Sequence, residues 1–340
     1  MKPTRPRWTI SVLTIPERES YLQTLLASIA ALPSAAGLVV DVIYNRDTRE
    51  APADVEERVR GLVTGLQLNV YFNPANPTIG AARIQQLNHC KTPLVAFVDD
   101  DLSLHGDVLA SVEEELRRLP VAGVGLRSYV EDTDQLFKPR ASTPSVDAHG
   151  MRFMPVQGML VAGYRRLFLD VGGFNPRREF WGEWTELNLR LWRSGFPTGY
   201  AMSGAFLRHW ERAPASPTRS MVGREENVLW GLMCTALEYD AIEEGPETTP
   251  FWDLVESRYI AYSFGADVRI RDVLRTALRL TPRMSAMYPQ IAAFRDTVRQ
   301  HPFDFKPFHA FTTEEVATVL AHAAARIGPY RADAWGGSAD

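Results

Sequence analysis

The sequence predicts an α/β fold: a mainly parallel sheet with helices on both faces, followed by a helical C-terminal region. Three observations predict it. Strand-like and helix-like segments alternate over residues 8–119, which is typical of strands joined by helical crossovers. Residues 94–98 form an unbroken run of apolar residues, as expected for a strand buried on both faces. Beyond about residue 224 the pattern is helical.

Local patterns justify the elements of the first half. Residues 8–15 are typical of a strand that stops at Pro16, and residues 17–32 place leucine and isoleucine on one helical face. The same alternation then predicts, in order, a strand over 38–44, a helix over 53–66, a strand over 67–72, a helix over 79–90, a strand over 94–98 and a helix over 105–119.

The second half is less regular. Residues 131–154 are polar and interrupted by proline and glycine, which predicts a long loop over a ligand. Residues 155–210 predict a short strand, a helix near 164–170, a glycine turn at 172–173, a helix over 183–194 and a strand toward 207. Helices follow, with loops at 244–250 and 301–310, and residues 312–315 resemble a helix start. We expect one domain over 1–223 and a helical region over 224–340.

Composition narrows the classes of function. The chain has 340 residues and a formal net charge of -4, so no global attraction to nucleic acid or anionic lipid is implied. Cys90 and Cys234 have no metal-ligand spacing and are expected to be reduced thiols. No apolar stretch is long enough to cross a bilayer, and the N-terminus lacks a signal-peptide core. We therefore expect a cytoplasmic protein without membrane insertion.

Three acids, Asp99, Asp100 and Asp101, directly follow the strand at 94–98. Open α/β sheets bind ligands at the carboxyl ends of their strands. Two carboxylates about 4 Å apart repel each other by roughly 4 kcal/mol at an effective dielectric constant near 20. A divalent cation removes that repulsion and can bind a diphosphate at the same time. The alternative is a solvated acidic turn that caps a helix beginning near His105.

Several short segments have the right order to carry a family resemblance. They are Thr14-Ile15-Pro16-Glu17-Arg18, Asn45-Arg46-Asp47, Asn76 with Ile79-Gly80-Ala81-Ala82-Arg83, Asp99-Asp100-Asp101, residues 158–174 (GMLVAGYRRLFLDVGGF), residues 181–187 (WGEWTEL) and His209. Together, over residues 8–212, they resemble family 2 of the GT-A glycosyltransferases. Asp99-Asp100-Asp101 corresponds to the D-x-D motif of that family.

The resemblance implies a GT-A fold, a nucleotide-diphosphate sugar as donor, with a UDP-sugar favoured, and Mn²⁺ or Mg²⁺ as cofactor. The donor contacts that it implies are Thr14, Pro16, Arg18, Asp47, Gly80, Arg83, Asp99 and Asp100. It implies Asp101 as the direct metal ligand, completed by His209, with Asp99 near the ribose or a metal-bound water. Since side chains alternate along an extended chain, we expect Asp100 to point away.

Each of these residues also has a structural interpretation. Arg83 is placed for a bidentate contact with ribose or phosphate, or for a salt bridge to one of the aspartates. Thr14 and Asp47 are equally plausible as turn residues. A histidine at a strand end, such as His209, is often a hydrogen-bonded structural residue rather than a ligand.

An inverting transfer needs a base that takes a proton from the acceptor. In the family this base is usually the Asp of a Glu-Asp pair, but Trp184 stands at that position here. We expect Glu183 to act as the base, with Glu186 as the alternative, because positions i and i+3 share a helical face. The competing interpretation is that Glu183 caps the helix and Glu186 is solvated. Trp184 at this position is also compatible with an acceptor other than a simple hydroxyl, or with impaired activity.

The acceptor side is expected near Gly158, Trp181 and Trp184, whose aromatic faces suit stacking on a sugar. Trp192 is expected in the core. The acceptor itself stays open among a glycan, peptide, natural product, lipid-linked sugar or modified nucleobase. Two rival functions are a sugar-nucleotide or glycan-binding module, which Trp184 favours, and a nucleotidyltransferase, which the lack of a glycine-rich phosphate loop disfavours. The C-terminal helices are candidates for an oligomer interface.

Overall fold

The computed structural model describes most of the chain. The described residues are 7–35, 37–45, 50–73, 78–139, 145–154, 158–178, 182–210, 221–239, 270–305 and 311–336. The predictions for Asp47, Asn76, Trp181 and the loop at 244–250 fall on residues outside these ranges.

Two sheets organise the described part of the chain. Its strands are β1 (Trp8–Thr14), β2 (Val39–Asn45), β3 (Gln67–Asn73), β4 (Leu94–Asp99), β5 (Leu102–His105), β6 (Gly123–Leu126), β7 (Ser128–Val130), β8 (Leu136–Lys138), β9 (Val146–Ala148), β10 (Met151–Phe153), β11 (Leu160–Tyr164), β12 (Thr198–Ala201) and β13 (Phe206–His209). The large sheet has the order β3-β2-β1-β4-β11-β6-β12-β10-β9, and the small sheet has the order β5-β13-β7-β8.

Helices connect and cover these strands. They are a 3₁₀ turn (Pro16–Arg18), α1 (Glu19–Ala30), α2 (Pro52–Gly61), α3 (Ile79–His89), α4 (Val108–Arg118), α5 (Arg165–Asp170), α6 (Glu183–Arg193), α7 (Met221–Glu238), α8 (Ile270–Val298), α9 (Thr313–Ala324) and α10 (Gly328–Trp335).

The predicted parallel arrangement is confirmed for the first half of the chain. Strands β3, β2, β1 and β4, which are adjacent in that order, run parallel to one another. The large sheet becomes mixed beyond β4, because β11 lies antiparallel between β4 and β6. All residues of the 94–98 run have no solvent exposure, as a central strand with both faces covered requires.

Helices cover both faces of the large sheet, as predicted. The Tyr44 hydroxyl of β2 donates a hydrogen bond of 2.5 Å to Glu19 of α1. On the neighbouring strand, Phe72 pairs with Tyr44, so the preceding Tyr71 points to the opposite face. There its ring stacks on His89 of α3 at 3.7 Å. Helices α1 and α3 therefore flank opposite faces of the sheet.

Two predictions from the sequence were wrong. The helix after the acids begins at Val108, not near His105, and its cap is Asp107, which accepts a hydrogen bond from the Ala110 backbone. The acids are therefore not a helix cap, since β5 separates them from α4. The predicted loop over 131–154 contains the short strands β8, β9 and β10. These strands form because they pair with neighbouring strands, and their own sequences have no periodic pattern that predicts them.

The C-terminal helices include parts of the main core. The predicted helix start is a capping box between Thr312 and Glu315, and Val316 and Val319 of α9 belong to the same hydrophobic cluster as β1. Helix α7 begins at Met221, just before the expected boundary. None of the helices within the described ranges combines the length and the apolar character that crossing a membrane requires.

Candidate functional site

The site is built where β1 and β4 end side by side. After β1 the chain enters the 3₁₀ turn, which starts with Pro16 and is closed by a hydrogen bond of 3.0 Å from the Arg18 backbone to Ile15. This turn directs the Arg18 side chain over the carboxyl end of β4. The Thr14 hydroxyl, at the end of β1, donates a hydrogen bond of 2.7 Å to Asp100.

Each of the three acids has an arginine partner. Arg83 of α3 contacts Asp99 at 2.5 Å. Arg18 bridges the other two carboxylates, because its Nη2 lies 2.6 Å from Asp100 Oδ1 and 2.5 Å from Asp101 Oδ2. Arg18 is only 3% exposed. The repulsion among the acids is thus offset by two buried guanidinium groups that approach from different elements.

His209 reaches the acids from the small sheet. Strand β13 pairs with β5 so that His209 lies opposite Leu102, and its Nε2 comes within 3.5 Å of Asp101 Oδ2. The imidazole stacks on Phe137 of β8, with ring centroids 4.3 Å apart. Its buried Nδ1 has no hydrogen-bond partner in the part of the chain that is described.

The environment separates the pKa values of two neighbouring acids. Burial raises the pKa of Asp100 to about 7, against the opposing charge of Arg18. Burial also acts to raise the pKa of Asp101, but the hydrogen bond with His209 and the charge of Arg18 outweigh it and hold that pKa well below its usual range. Of these two acids, Asp101 is therefore the better suited to remain an anionic ligand at neutral pH.

Glu183 lies at the start of α6, on the other side of Arg83. The helix begins after Gly182, whose φ of 86° is a left-handed conformation that glycine adopts easily. Glu183 is 6% exposed, and its Oε1 lies 4.0 Å from Arg83 Nε. Burial raises the pKa of Glu183, and the charge of Arg83 opposes this only in part. Arg83 therefore links the acid cluster to a second buried carboxylate.

Glu186, the alternative base, has a different environment. Its carboxylate receives two hydrogen bonds from Arg190, at 2.9 and 2.8 Å, and a third from the Tyr239 hydroxyl at 2.7 Å. It is fully buried rather than solvated. This network joins α6 to the end of α7 and leaves Glu186 fully engaged in structural contacts.

Trp184 packs in the core. It is 7% exposed, and its ring makes edge-on contacts with Phe97 at 5.5 Å and Phe174 at 4.9 Å. The Arg83 guanidinium lies 5.1 Å from the ring centroid. The indole therefore supports Arg83, and it does not present an open face for stacking. Gly158 lies beside it, since a Cβ there would be 3.8 Å from Trp184 Cδ1.

Gly80 has a structural reason to be glycine. Its backbone N–H donates a hydrogen bond of 2.9 Å to the carbonyl of Arg178, and a Cβ at this position would lie 2.0 Å from the carbonyl oxygen of Asn175. The start of α3 is thus packed tightly against the 175–178 loop. This contact fixes the helix that carries Arg83.

Asp101 and His209 suit a divalent cation by their chemistry. An Asp101 carboxylate oxygen and the His209 Nε2 converge. Because no acceptor or donor among the described residues fixes the protonation of Nδ1, His209 can carry its proton on Nδ1 and present Nε2 as a ligand. No cluster of three or more His, Cys, Asp or Glu side chains with metal-binding geometry occurs in the described ranges. Two protein ligands fit a cation such as Mg²⁺, which takes further ligands from phosphate and water.

Comparison with family models matches residues 6–225 to the family described as glycosyltransferase-like family 2. The chain belongs to this family. It is therefore a glycosyltransferase, and the sequence resemblance is confirmed. A comparison with curated proteins finds no match.

Solved glycosyltransferase structures share the fold of this family 2 glycosyltransferase. The S. aureus protein TarS 1-349 in complex with UDP-GlcNAc has 14% identity and a TM-score of 0.55, with coverage of 94% of this chain and 92% of that chain. The mannosyltransferase PcManGT from Pyrobaculum calidifontis, in complex with GDP-Man and Mn²⁺, has 16% identity, a TM-score of 0.50 and coverage of 98% and 88%. GalNAc-T7 with UDP, GalNAc and Mn²⁺ has 13% identity and a TM-score of 0.51, and the match covers 76% of this chain but 54% of that one.

The glycosyltransferase fold brings most of the predicted site residues together. The residues that converge at the carboxyl edge of β1 and β4 are Thr14, Arg18, Arg83, Asp99, Asp100, Asp101, Glu183 and His209. The expectation that Asp100 points away is wrong, because Asp100 lies in the turn after β4 rather than in an extended segment, and it shares Arg18 with Asp101. Glu186, Trp184 and Gly80 make packing contacts nearby.

Sequence reasoning missed Phe137, which supports His209, and the bridging position of Arg18. Phe137 belongs to β8, inside the segment that was expected to be a loop, where no periodic pattern marks the strand. The partner of Glu186, by contrast, is visible in the sequence as an i, i+4 pair with Arg190.

Proposed function

We propose that this glycosyltransferase transfers a sugar from a nucleotide-diphosphate sugar to an acceptor by a metal-dependent, inverting reaction, with a UDP-sugar as the favoured donor. The observation that carries the proposal is the convergence of Asp101 and His209 at one strand edge, with Arg83 leading from there to the buried Glu183. A site for a diphosphate and a site for a base are thereby adjacent.

Asp101 and His209 would hold the cation, Mn²⁺ or Mg²⁺. When bound, the cation neutralises the negative charge that develops on the departing nucleoside diphosphate. Two of the fold relatives were solved with Mn²⁺ and with UDP or GDP-Man, which supports this class of donor and cofactor.

Arg83 and Asp99 would position the donor. The guanidinium of Arg83 is held in place by Asp99, by the face of Trp184 and by Gln86, whose Oε1 lies 3.1 Å away. A rigid guanidinium with several N–H donors suits the oxygens of a ribose or a phosphate. Asp99 is the most exposed of the three acids, with 33% of its side-chain surface accessible, so it can also accept a hydrogen bond from a ribose hydroxyl.

Glu183 would act as the base. Its burial raises its pKa, which makes the carboxylate a stronger proton acceptor than an ordinary exposed glutamate. It would take the proton from the acceptor hydroxyl as that oxygen attacks the sugar. Direct displacement on an α-linked donor gives a β-linked product. Glu183 is favoured over Glu186, because Arg190 and Tyr239 engage the Glu186 carboxylate.

A ligand screen tests the proposal. UDP-, GDP-, dTDP- and CDP-sugars are each added with Mn²⁺ or with EDTA, and the melting temperature is measured, since a ligand that binds the folded state raises it. We expect a UDP-sugar to give the largest increase, and only with Mn²⁺. Equal shifts with EDTA would refute metal dependence, and a larger shift with another nucleotide would refute the choice of UDP.

Other parts of the sequence-based account stay predictions. They are the division into residues 1–223 and 224–340, the cytoplasmic location, the acceptor class and an oligomer through the C-terminal helices. The network that joins Glu186 to Tyr239 connects the two expected regions, so we propose that α7 stabilises the helix that bears Glu183.

A further inference from the structure

Arg18 makes the closest charged contact with the proposed cation ligand. Its Nη2 lies 2.5 Å from Asp101 Oδ2, the same oxygen that lies 3.5 Å from His209 Nε2. Arg18 therefore neutralises the carboxylate oxygen on which a divalent cation would depend. The side chain reaches this place from the turn after β1, and both it and Asp101 are buried.

The charges around this oxygen are nearly balanced without a cation. Three carboxylates meet two guanidinium groups, those of Arg18 and Arg83. A divalent cation alone would therefore meet a fixed positive charge beside its main ligand, and the two would repel each other. A cation that arrives together with a diphosphate brings compensating negative charge.

The Arg18 guanidinium also has an unused donor. Its Nε is buried and has no hydrogen-bond partner within the described residues. A buried N–H without an acceptor costs free energy, which an incoming acceptor recovers. Phosphate oxygens are strong acceptors for arginine. A diphosphate at this edge can thus draw Arg18 away from Asp101 and supply further ligands to the cation.

We propose that Arg18 is an internal counter-cation that makes cation binding depend on the nucleoside diphosphate: it keeps the affinity of the free protein for a divalent cation low and releases Asp101 when a diphosphate accepts its N–H groups. This inference rests on the proposed function, since it assumes Asp101 as the cation ligand. It adds a positioning role for Arg18 that the resemblance, which placed this residue only among the donor contacts, does not include.

The test measures Mn²⁺ affinity, not turnover. Free Mn²⁺ is followed by electron paramagnetic resonance in titrations of the full chain, with and without UDP. For the wild type we expect UDP to tighten Mn²⁺ binding by about tenfold or more, within the usual range of coupling between two ligands. For Arg18→Gln we expect Mn²⁺ binding without UDP to tighten by about tenfold and the effect of UDP to shrink accordingly.

Two further variants keep the test sharp. Arg60→Gln removes an arginine that contacts Glu56 on the exposed surface of α2 and the Leu68 carbonyl of β3, and it should leave both Mn²⁺ affinities unchanged. If Arg18→Gln does not fold, Arg18→Lys serves instead, because lysine keeps the charge but cannot bridge two carboxylates with a planar fork. We expect it to reduce the effect of UDP by about threefold or more.

The outcomes separate this inference from the proposed function. Equal Mn²⁺ affinity of the wild type with and without UDP would overturn the proposed function and the inference together, because coupling is reciprocal and Mn²⁺ would then not strengthen UDP binding. If UDP tightens Mn²⁺ binding by the wild type but the Arg18 variant that folds has the same two Mn²⁺ affinities, only the role of Arg18 is overturned. No Mn²⁺ binding by the wild type under either condition would overturn the metal-dependent function and the inference together.

Discussion

The choice of base can be tested by a pair of substitutions three residues apart. Glu183→Gln removes the proposed proton acceptor but keeps the size of the side chain. Removing a general base typically lowers the rate by roughly a hundredfold to ten-thousandfold. The only ion pair that the structure records for Glu183 within the described residues is the 4.0 Å contact with Arg83. We therefore expect Glu183→Gln to change the free energy of unfolding by about 1 kcal/mol or less.

Glu186→Gln is the matched control, and it should show the opposite behaviour. Its carboxylate receives three hydrogen bonds, from Arg190 and Tyr239, and it has no solvent exposure. Breaking such a buried pair leaves Arg190 uncompensated and costs about 3–5 kcal/mol. The control is therefore expected to lose stability and to keep its turnover at temperatures where it is still folded.

The assay needs no knowledge of the acceptor. Release of UDP from a UDP-sugar by water is measured with Mn²⁺, and urea unfolding gives the free energy of unfolding for both variants. The reasoning is refuted if Glu183→Gln hydrolyses the donor at the wild-type rate, or if folded Glu186→Gln is the variant that loses turnover. Either result would show that the carboxylate next to Arg83 is not the base.

Three further predictions concern packing and pH. Gly80→Ala should lower the free energy of unfolding by about 1–3 kcal/mol, because backbone atoms occupy the space that the new Cβ needs. Gly61→Ala is the matched control: there is open space at the end of α2, so it should raise the free energy of unfolding by about 0.4–1 kcal/mol. Urea unfolding measures both. Glu238→Gln removes the partner of the fully buried Arg178 and should cost about 3–5 kcal/mol in the same assay; a loss below about 1 kcal/mol would contradict a structural pair. Burial raises the pKa of Glu183 in the folded state, so the contribution of this carboxyl group to stability is full below its unfolded-state pKa and is lost as pH rises through its folded-state pKa. The stability of Glu183→Gln relative to the wild type should therefore increase with rising pH. A difference in the free energy of unfolding that does not change with pH would refute this.

The parallel half of the fold could be predicted because its signals are local. Each strand from β1 to β4 has its own apolar run or, in β3, an alternation of polar and apolar residues, and each helix between them has its own periodic face. The run at 94–98 is buried because its neighbours on both sides complete the sheet. The start of α9 was equally clear, since the capping box is written in four consecutive residues.

The other elements depend on partners that are distant along the chain. Strands β8, β9 and β10 have three residues each, too few for a recognisable alternation, and β10 is held by β12. Likewise, the late start of α4 follows from β5, which occupies residues 102–105 because it pairs with the distant strand β13.

The candidate site shows the same division. The three acids and His209 could be identified because residue type and order suffice to place them near a strand edge. The bridging of Asp100 and Asp101 by Arg18 could not, because it depends on how the turn after β1 is oriented. The packing of Trp184 against Phe97 and Phe174 likewise depends on tertiary contacts, so its expected role in stacking gives way to one in supporting Arg83.

The central claim is that Asp101 holds a cation which binds the diphosphate of the donor. Calorimetric titration of UDP into the wild type, Asp101→Asn and Asp107→Asn, with Mn²⁺ or EDTA, tests it most directly. Asn retains the helix cap at 107, so that variant should match the wild type. We expect Mn²⁺ to tighten UDP binding in the wild type by about tenfold or more and to have little effect on Asp101→Asn. Equal tightening in both proteins, or none in the wild type, would contradict the account.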